Sequence, residues 1–246
     1  MNTAMPKPPC KAIQFINARI IDKDQDFMGS VFVRDGVIIE VSEAQERYNE
    51  ALLIDVGGKA LMPAMVDVHC HFRDPGYTYK EDILSGLRAA VKGGYAFVAA
   101  MANTSPVADK REILWANARK SQEADLCGFL QIAAIGCGLK DEELVDTAAL
   151  REHTNVFSND GLTIFSEVFM RRALMRSAEE GFIIATHSQP EAEIIRRDLE
   201  LLKEVGGHLH ICHISERASV EEVRRARKAG LNFTCEVAPH HLFACG

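Results

Sequence analysis

Hydrophobic residues follow two different patterns along the chain. The first 60 residues hold short runs rich in Val and Ile, separated by turn pairs such as Asp35-Gly36 and Gly57-Gly58. An Asp-Gly pair between apolar runs is a strong signal for a β-hairpin. We therefore predict a small β domain over residues 1–60.

From Leu61 onward, apolar strand-like runs alternate with amphipathic helical stretches, which indicates parallel β/α units. Seven runs predict strands: LMPAMVDVH, GYAFVAAM, GFLQIAAIG, NVFSND, GFIIATHS, HLHICHIS and LNFTCEVAP. Six helical stretches separate them, whereas a complete (β/α)8 barrel has eight of each. We predict an incomplete (β/α)8 TIM-like barrel over residues 61–246, truncated before strand eight. A flavodoxin-like open sheet is the alternative, and the lack of a Gly-rich phosphate loop argues against it.

Polar residues stand where the predicted strands end, which is where such barrels build their active sites. They are His69, His71, Asn103, Thr104, Asn159, Asp160, His187 and His213. A strand repeats every two residues, so His69 and His71 share one face and can reach one cation. Neutral imidazole suits zinc and related metals. A single histidine is more often a hydrogen-bonded core residue, but four histidines and an aspartate at strand ends favour a metal site.

The other histidines are weaker candidates. His208 and His210 repeat the His-x-His pattern, but they come early in the sixth strand, and we interpret them as structural or surface residues. His153 precedes the fourth strand and is interpreted as structural. His240 and His241 follow the seventh strand near the barrel mouth and stay unassigned.

Composition and charge narrow the class of protein. The 246 residues are 47% hydrophobic and 26% charged, as in soluble globular proteins. A net charge of -7 argues against a nucleic-acid partner. No apolar run approaches the roughly 18 residues of a membrane span, and no signal peptide precedes the β domain, so we expect a cytoplasmic protein. Seven cysteines form no C-x-x-C pair, and we interpret Cys70, Cys212 and Cys235 as small buried hydrophobes.

Six motifs resemble the dihydroorotase family of metal-dependent amidohydrolases, in the family's order. They are DVHCHFRDPG, MANTSP, FSNDG, THSQPE, CHIS and EVAPHHL. The resemblance implies zinc-dependent, reversible hydrolysis of the cyclic amide of dihydroorotate to N-carbamoyl-aspartate, a step of de novo pyrimidine biosynthesis. It leaves open a homodimer or a transcarbamoylase partner.

The resemblance also implies metal-binding roles. His69 and His71 would bind the more buried of two zinc ions, and His187 and His213 would hold the second. Asp160 would bridge the pair. Many relatives use a carboxylated lysine as this bridge, but the run VFSNDGLTIF contains no lysine, so the branch with an aspartate bridge fits better.

The resemblance also implies that two further residues bind the substrate. Arg73 and Asn103 would bind the substrate carboxylate, because an arginine fork can make two parallel hydrogen bonds to it.

Asn159 stands where the family branch often has a second aspartate, which is why we put the bridge on Asp160. Ala102 replaces a proline that is usual in the family, and Asn103 is unaffected by that change.

The family's catalytic aspartate follows strand eight, and the family's β domain is completed by a C-terminal segment. Both would lie beyond Gly246. We therefore expect no catalytic residue within this chain, and reduced or no activity from the chain alone.

Two other functions stay open. An allantoinase- or hydantoinase-type cyclic amidase predicts a carboxylated lysine and no arginine for a substrate carboxylate; Arg73, Asn103 and Asp160 argue against it. A non-catalytic dihydroorotase-like partner chain predicts eroded metal ligands, whereas all five ligand positions are intact.

Overall fold

The computed structural model describes residues 12–44 and 47–243, in two compact units. The first unit ends at Ala64 and the second begins at Met65. Within the described residues, no helix combines the length and the hydropathy needed to cross a membrane.

The first unit is a five-stranded sheet. Its strands are β1 (Ile13–Ile21), β2 (Asp26–Arg34), β3 (Val37–Ser42), β4 (Leu52–Asp55) and β5 (Ala60–Leu61). Strand β1 pairs antiparallel with β2 and parallel with β4 and β5, and β2 pairs with β3. The predicted hairpin at Asp35-Gly36 is confirmed, since it joins β2 to β3 and both residues have positive φ, at 55° and 74°.

The second unit contains parallel strands and helices in alternation. The strands are β6 (Met65–Cys70), β7 (Tyr95–Ala100), β8 (Gly128–Gln131), β9 (Ala133–Ala134), β10 (Val156–Ser158), β11 (Ile183–Thr186), β12 (Leu209–Ile211) and β13 (Phe233–Cys235). The helices are α1 (Ile83–Lys92), α2 (Arg111–Ala124), α3 (Thr147–Leu150), α4 (Glu167–Glu180), α5 (Glu191–Val205) and α6 (Arg217–Lys228). Short 3-10 turns cover Cys137–Leu139 and Pro239–Leu242.

All strand pairs of the second unit are parallel, and their order follows the chain: β6-β7-β8 and then β9-β10-β11-β12-β13. The predicted third strand is divided at Ile132, because its first half pairs with β7 and its second half with β10. The parallel α/β class predicted for this part of the chain is confirmed.

The predicted helix over KDEELVDTAALREH is much shorter than expected, since only Thr147–Leu150 is helical. Leu144 forms an antiparallel bridge to Gly136, and residues 141–143 before it form bends instead of a helical turn. Asp146 then caps the helix by accepting a hydrogen bond from Ala149 N. A contact with a residue outside the predicted helix thus overrode the local helical pattern.

The main core of the second unit lies between the strands and the helices that follow them. Its fully buried side chains include Phe157 on β10, Phe169 on α4 and Phe182 before β11. Cys212 is buried as predicted, whereas Cys70 and Cys235 are only half-buried. The difference has a simple cause: Cys70 and Cys235 lie on β6 and β13, each of which pairs with one neighbour among the described residues.

Candidate metal centre

Asp160, the second residue after β10, lies among three imidazoles. Its carboxylate oxygens are 3.4 Å from His69 Nε2, 3.6 Å from His71 Nε2 and 3.7 Å from His187 Nδ1. His213 completes the cluster, because its Nε2 is 3.0 Å from His187 Nδ1. All five residues predicted as metal ligands are therefore neighbours in space.

These side chains form two groups that could each hold a cation. His69, His71 and Asp160 offer ligand atoms within 4.8 Å of one another, and so do Asp160, His187 and His213. Asp160 is 3% exposed, so its charge is shielded from water and faced by ring nitrogens. Imidazole nitrogen with carboxylate oxygen is a donor set that suits zinc and similar transition metals. The residues present thus fit a metal centre with a shared aspartate.

Two kinds of backbone carry the imidazoles to Asp160. His69 lies near the end of β6 and His71 directly after it, and Asp67 Oδ1 accepts a hydrogen bond from His69 N at 3.0 Å. His213 instead follows β12 in a left-handed conformation, with φ at 34°. A histidine adopts that conformation only where the surrounding structure holds it.

Asn103 links two members of the cluster. Its Nδ2 donates to Asp160 Oδ2 at 2.8 Å, and its Oδ1 is 3.0 Å from His71 Nδ1. Because an amide oxygen only accepts, His71 Nδ1 must carry the proton, which leaves Nε2 free on the side of Asp160. Arg73 is half-buried beside them, and its Nη1 donates to Asn103 O at 3.5 Å.

Asn159, the neighbour of Asp160, faces away from the imidazoles. Its Oδ1 accepts from Gly136 N at 3.1 Å, and its Nδ2 donates to Leu139 O at 3.1 Å. Both of its polar atoms are therefore used to hold the loop that follows β9. Of the two adjacent candidates, Asp160 is the one within reach of the histidines.

The pKa shifts follow from this crowding. Burial lowers the pKa of His69, but hydrogen bonds to Asp160, Cys212 and Glu236 outweigh burial and raise that pKa to about 12. Burial raises the pKa of Asp160, yet His69 and the other nearby imidazoles hold it below its usual range. Burial is also the main cause that lowers the pKa of His213. Without a cation, His69 therefore carries protons on both ring nitrogens, and metal binding would release one of them.

Two residues at this site were missed by sequence reasoning. Glu236, directly after β13, has Oε1 at 2.6 Å from His69 Nδ1. Cys212 belongs to a third group of possible ligand atoms, together with His69 and Glu236. The signal was present for Glu236, since it lies near the end of the seventh predicted strand and begins the EVAPHHL motif. The same rule that selected the other strand-end residues would have selected it.

A cavity of about 520 Å³ opens beside the centre. Its lining includes His69, His71, His213 and Glu236, and it also takes in residues 66–68 of β6 and residues 237–240 after β13. His240, which the sequence left unassigned, lies at this lining. The cavity therefore joins the candidate metal centre to the outer edges of β6 and β13.

Known structures share this fold. The chain is similar to an L-hydantoinase (dihydropyrimidinase) from Arthrobacter aurescens, with a TM-score of 0.77 and 20% identity, over 93% of this chain and 58% of that chain. It is also similar to a dihydropyrimidinase from Brevibacillus agri NCHU1002, with a TM-score of 0.74 and 17% identity, over 95% and 58% of the two chains. At these identities the likeness defines the fold class, an α/β fold of the hydantoinase type.

Sequence comparison identifies the family of the chain within this fold class. A family model described as dihydro-orotase-like matches residues 58–191, which is more than half of the chain, and the chain belongs to that family. It is 35% identical to a dihydroorotase from Clostridium botulinum (strain Eklund 17B / Type B) and 37% identical to one from Pediococcus pentosaceus. Each match covers 92% of this chain and 60% of the relative. The chain thus spans about 60% of the length of these curated relatives.

Proposed function

We propose that this chain carries the metal-binding part of a dihydroorotase. The reaction would be the reversible hydrolysis of the cyclic amide of dihydroorotate to N-carbamoyl-aspartate in de novo pyrimidine biosynthesis. The observation that carries the proposal is Asp160, which lies between two pairs of imidazoles in a chain of the dihydro-orotase-like family.

We further propose that the centre takes two zinc ions. His69 and His71 would hold one and His187 and His213 the other, with Asp160 shared between them. The two groups of ligand atoms that meet at Asp160 support this assignment. Zinc held there would supply Lewis-acid polarisation of the ring carbonyl and an activated water nucleophile.

Arg73 and Asn103 are the proposed contacts of the substrate carboxylate. Both follow strands that end at the metal centre, and the Arg73 side chain reaches the Asn103 carbonyl. A guanidinium fork is well matched to a carboxylate. The Asn103 amide also holds His71 and Asp160, so it would tie substrate binding to the geometry of the centre.

The domain organisation is part of the proposal: a small β domain over residues 1–60, followed by an amidohydrolase barrel over residues 61–246 that is truncated before strand eight. Support comes from the cavity that is lined by residues of β6 and by residues after β13, where a further strand would fit. Val66 and Val68 on β6 are 58% and 45% exposed beside it. Unpaired apolar edges of this kind are normally covered.

An eighth strand would also bring the carboxylate that moves a proton from the attacking water to the leaving nitrogen. General acid–base help of this kind is typically worth about 10²- to 10⁴-fold in rate. We therefore propose that the 246-residue chain binds substrate but turns it over slowly or not at all. A cytoplasmic location and a homodimer or transcarbamoylase partner complete the proposal.

The experiment separates binding from turnover. Zinc-loaded chain is titrated with N-carbamoyl-aspartate and with dihydroorotate, and hydrolysis is followed in parallel. Binding should weaken by at least about tenfold in Arg73→Met, because a charge-assisted hydrogen-bond pair is lost. The matched control Arg88→Met, on the exposed face of α1, should bind like the wild type.

Three results would contradict the proposal. Absence of binding to either ligand argues against a dihydroorotase site. Preferential binding of hydantoin or allantoin would favour the other cyclic amidases. Turnover by the isolated chain at the rate of a complete relative would refute the need for an eighth strand.

A further inference from the structure

The two ring nitrogens of His69 face different partners. Nε2 lies 3.4 Å from Asp160 Oδ1, on the side of the candidate metal centre. Nδ1 lies 2.6 Å from Glu236 Oε1, on the opposite side of the ring. The second distance is short, at the strong end of charge-assisted hydrogen bonds. A neutral imidazole can offer one nitrogen to a metal only when the other carries the proton.

Glu236 is itself held in place from two strands. Its second oxygen, Oε2, lies 3.4 Å from His210 Nε2, and His210 Nδ1 is 2.7 Å from Thr234 Oγ1. The backbone of Glu236 donates to Ile211 O at 3.0 Å and accepts from Ile214 N at 2.9 Å. The carboxylate is therefore fixed by contacts that do not involve the metal ligands.

An ion between His69, Cys212 and Glu236 is a poorer explanation of the same contacts. Two ligand atoms on one tetrahedral zinc, with bonds of about 2.0–2.1 Å, would lie roughly 3.3 Å apart. The observed 2.6 Å between His69 Nδ1 and Glu236 Oε1 is too short for that and suits a shared proton.

We infer that Glu236 is a positioning residue that fixes His69 in the tautomer with Nδ1–H and directs Nε2 toward the cation held with His71 and Asp160. The inference rests on the proposed metal centre. Histidine ligands commonly donate their second ring nitrogen to a carboxylate, and loss of such a partner costs about 10- to 100-fold in metal affinity. His210 and Thr234 extend the support of Glu236 by one further hydrogen-bonded step.

The test measures zinc affinity of the whole 246-residue chain by competition with a chromophoric chelator. Glu236→Ala should weaken zinc binding by about 10- to 100-fold. Glu236→Gln keeps the size and one acceptor oxygen but removes the charge, so its affinity should lie between wild type and Glu236→Ala. Glu221→Gln, an exposed charge change on α6, is the matched control and should bind like wild type. Circular dichroism of each variant shows that the fold is kept.

A spectroscopic readout separates positioning from packing. In zinc-loaded protein labelled with ¹⁵N-histidine, the His69 Nδ1–H of the wild type should give a proton signal protected from exchange with water. In Glu236→Ala this signal should disappear or exchange rapidly, because its acceptor is gone.

Each outcome decides between the inference and the function on which it rests. If Glu236→Ala binds zinc as tightly as wild type, or keeps a protected His69 Nδ1–H signal, the positioning role is wrong while the metal centre stands. If wild type itself binds no zinc, the proposed metal centre fails, and the role of Glu236 fails with it.

Discussion

His69 and His71 lie at the end of a regular strand, whereas His187 and His213 lie on loops that follow β11 and β12. The far nitrogen of each strand-borne imidazole has a side-chain partner: Glu236 for His69 and Asn103 for His71. The two loop-borne imidazoles instead contact each other at 3.0 Å.

The loops that carry His187 and His213 are held by their backbones. Glu191 begins α5 four residues after His187, and its buried carboxylate accepts from Ser215 N, Ser215 Oγ and Glu216 N at 3.0, 2.6 and 2.9 Å. One carboxylate thus joins the loop after β11 to the loop after β12. In this centre the strand-borne imidazoles are therefore held by partners of their side chains, whereas the loop-borne imidazoles are held by an anchor of the main chain.

The largest effect is expected for Asp160, which the strand-borne pair and the loop-borne pair of imidazoles share. Asp160→Asn keeps the size of the side chain but removes the charge that faces the imidazoles. Zinc affinity should fall by more than about 100-fold, beyond the range known for residues that only support a ligand. Metal analysis after dialysis checks this. Asp141→Asn, whose carboxylate accepts from Phe165 N and Ser166 N, should keep its zinc; equal zinc content in the two variants would contradict the shared role.

The second-largest effect is expected for Glu191, which anchors the loops that carry His187 and His213. Glu191→Ala leaves Ser215 N and Glu216 N without their acceptor, which should lower the free energy of unfolding by about 2–4 kcal/mol. Urea denaturation measures the loss. Zinc affinity should fall as well, because His213 would no longer be held with φ at 34°. An unchanged zinc affinity in the folded variant would separate the anchor from the metal centre.

The same anchor has a defined pH dependence. Burial raises the pKa of Glu191, but hydrogen bonds from Ser215 and its neighbours hold that pKa below the ordinary 4.5. A lowered pKa means that the stabilisation is complete above the unfolded-state value and is lost as pH falls through the folded-state value. The stability difference between wild type and Glu191→Gln should therefore be constant near neutral pH and shrink below pH 4.5. A difference that grows in acid would refute this sign.

A smaller effect is expected in the strand-borne half. Asn103→Ala removes the amide that joins His71 to Asp160 through two hydrogen bonds, and a loss of about 1 kcal/mol for each corresponds to a fall of about 30-fold in zinc affinity. Chelator competition without substrate measures it, so a role in substrate binding alone would leave the value unchanged. Asn232→Ala, whose amide donates to Gly207 O, is the control.

The smallest change tests how far the support of His69 extends. Thr234→Val keeps a β-branched side chain on β13 and removes the partner of His210 Nδ1. Zinc affinity should change by about threefold or less, since Glu236 keeps its direct contact with His69. An effect as large as that of Glu236→Ala would show that His210 and Thr234 determine the position of the carboxylate.

Much of the second unit could be predicted because hydrophobic periodicity is local. All seven predicted strands occur in chain order, and the two predictions that failed, a continuous third strand and a long helix after it, failed because of contacts outside those segments. The third strand is divided at Ile132 because its halves pair with different neighbours. The helix after it shrank to Thr147–Leu150 because Leu144 bridges to Gly136.

Hydrophobic periodicity alone identifies which residues end the parallel strands, because the alternation of strands and helices puts those ends at one edge. That was enough to select His69, Asp160 and His213 as candidates. Which ring nitrogen of His69 faces Asp160 and which faces Glu236 follows from tertiary contacts. Those contacts join residues as far as 167 positions apart, and they depend on how the strands bring β6 to β13, which no local pattern encodes.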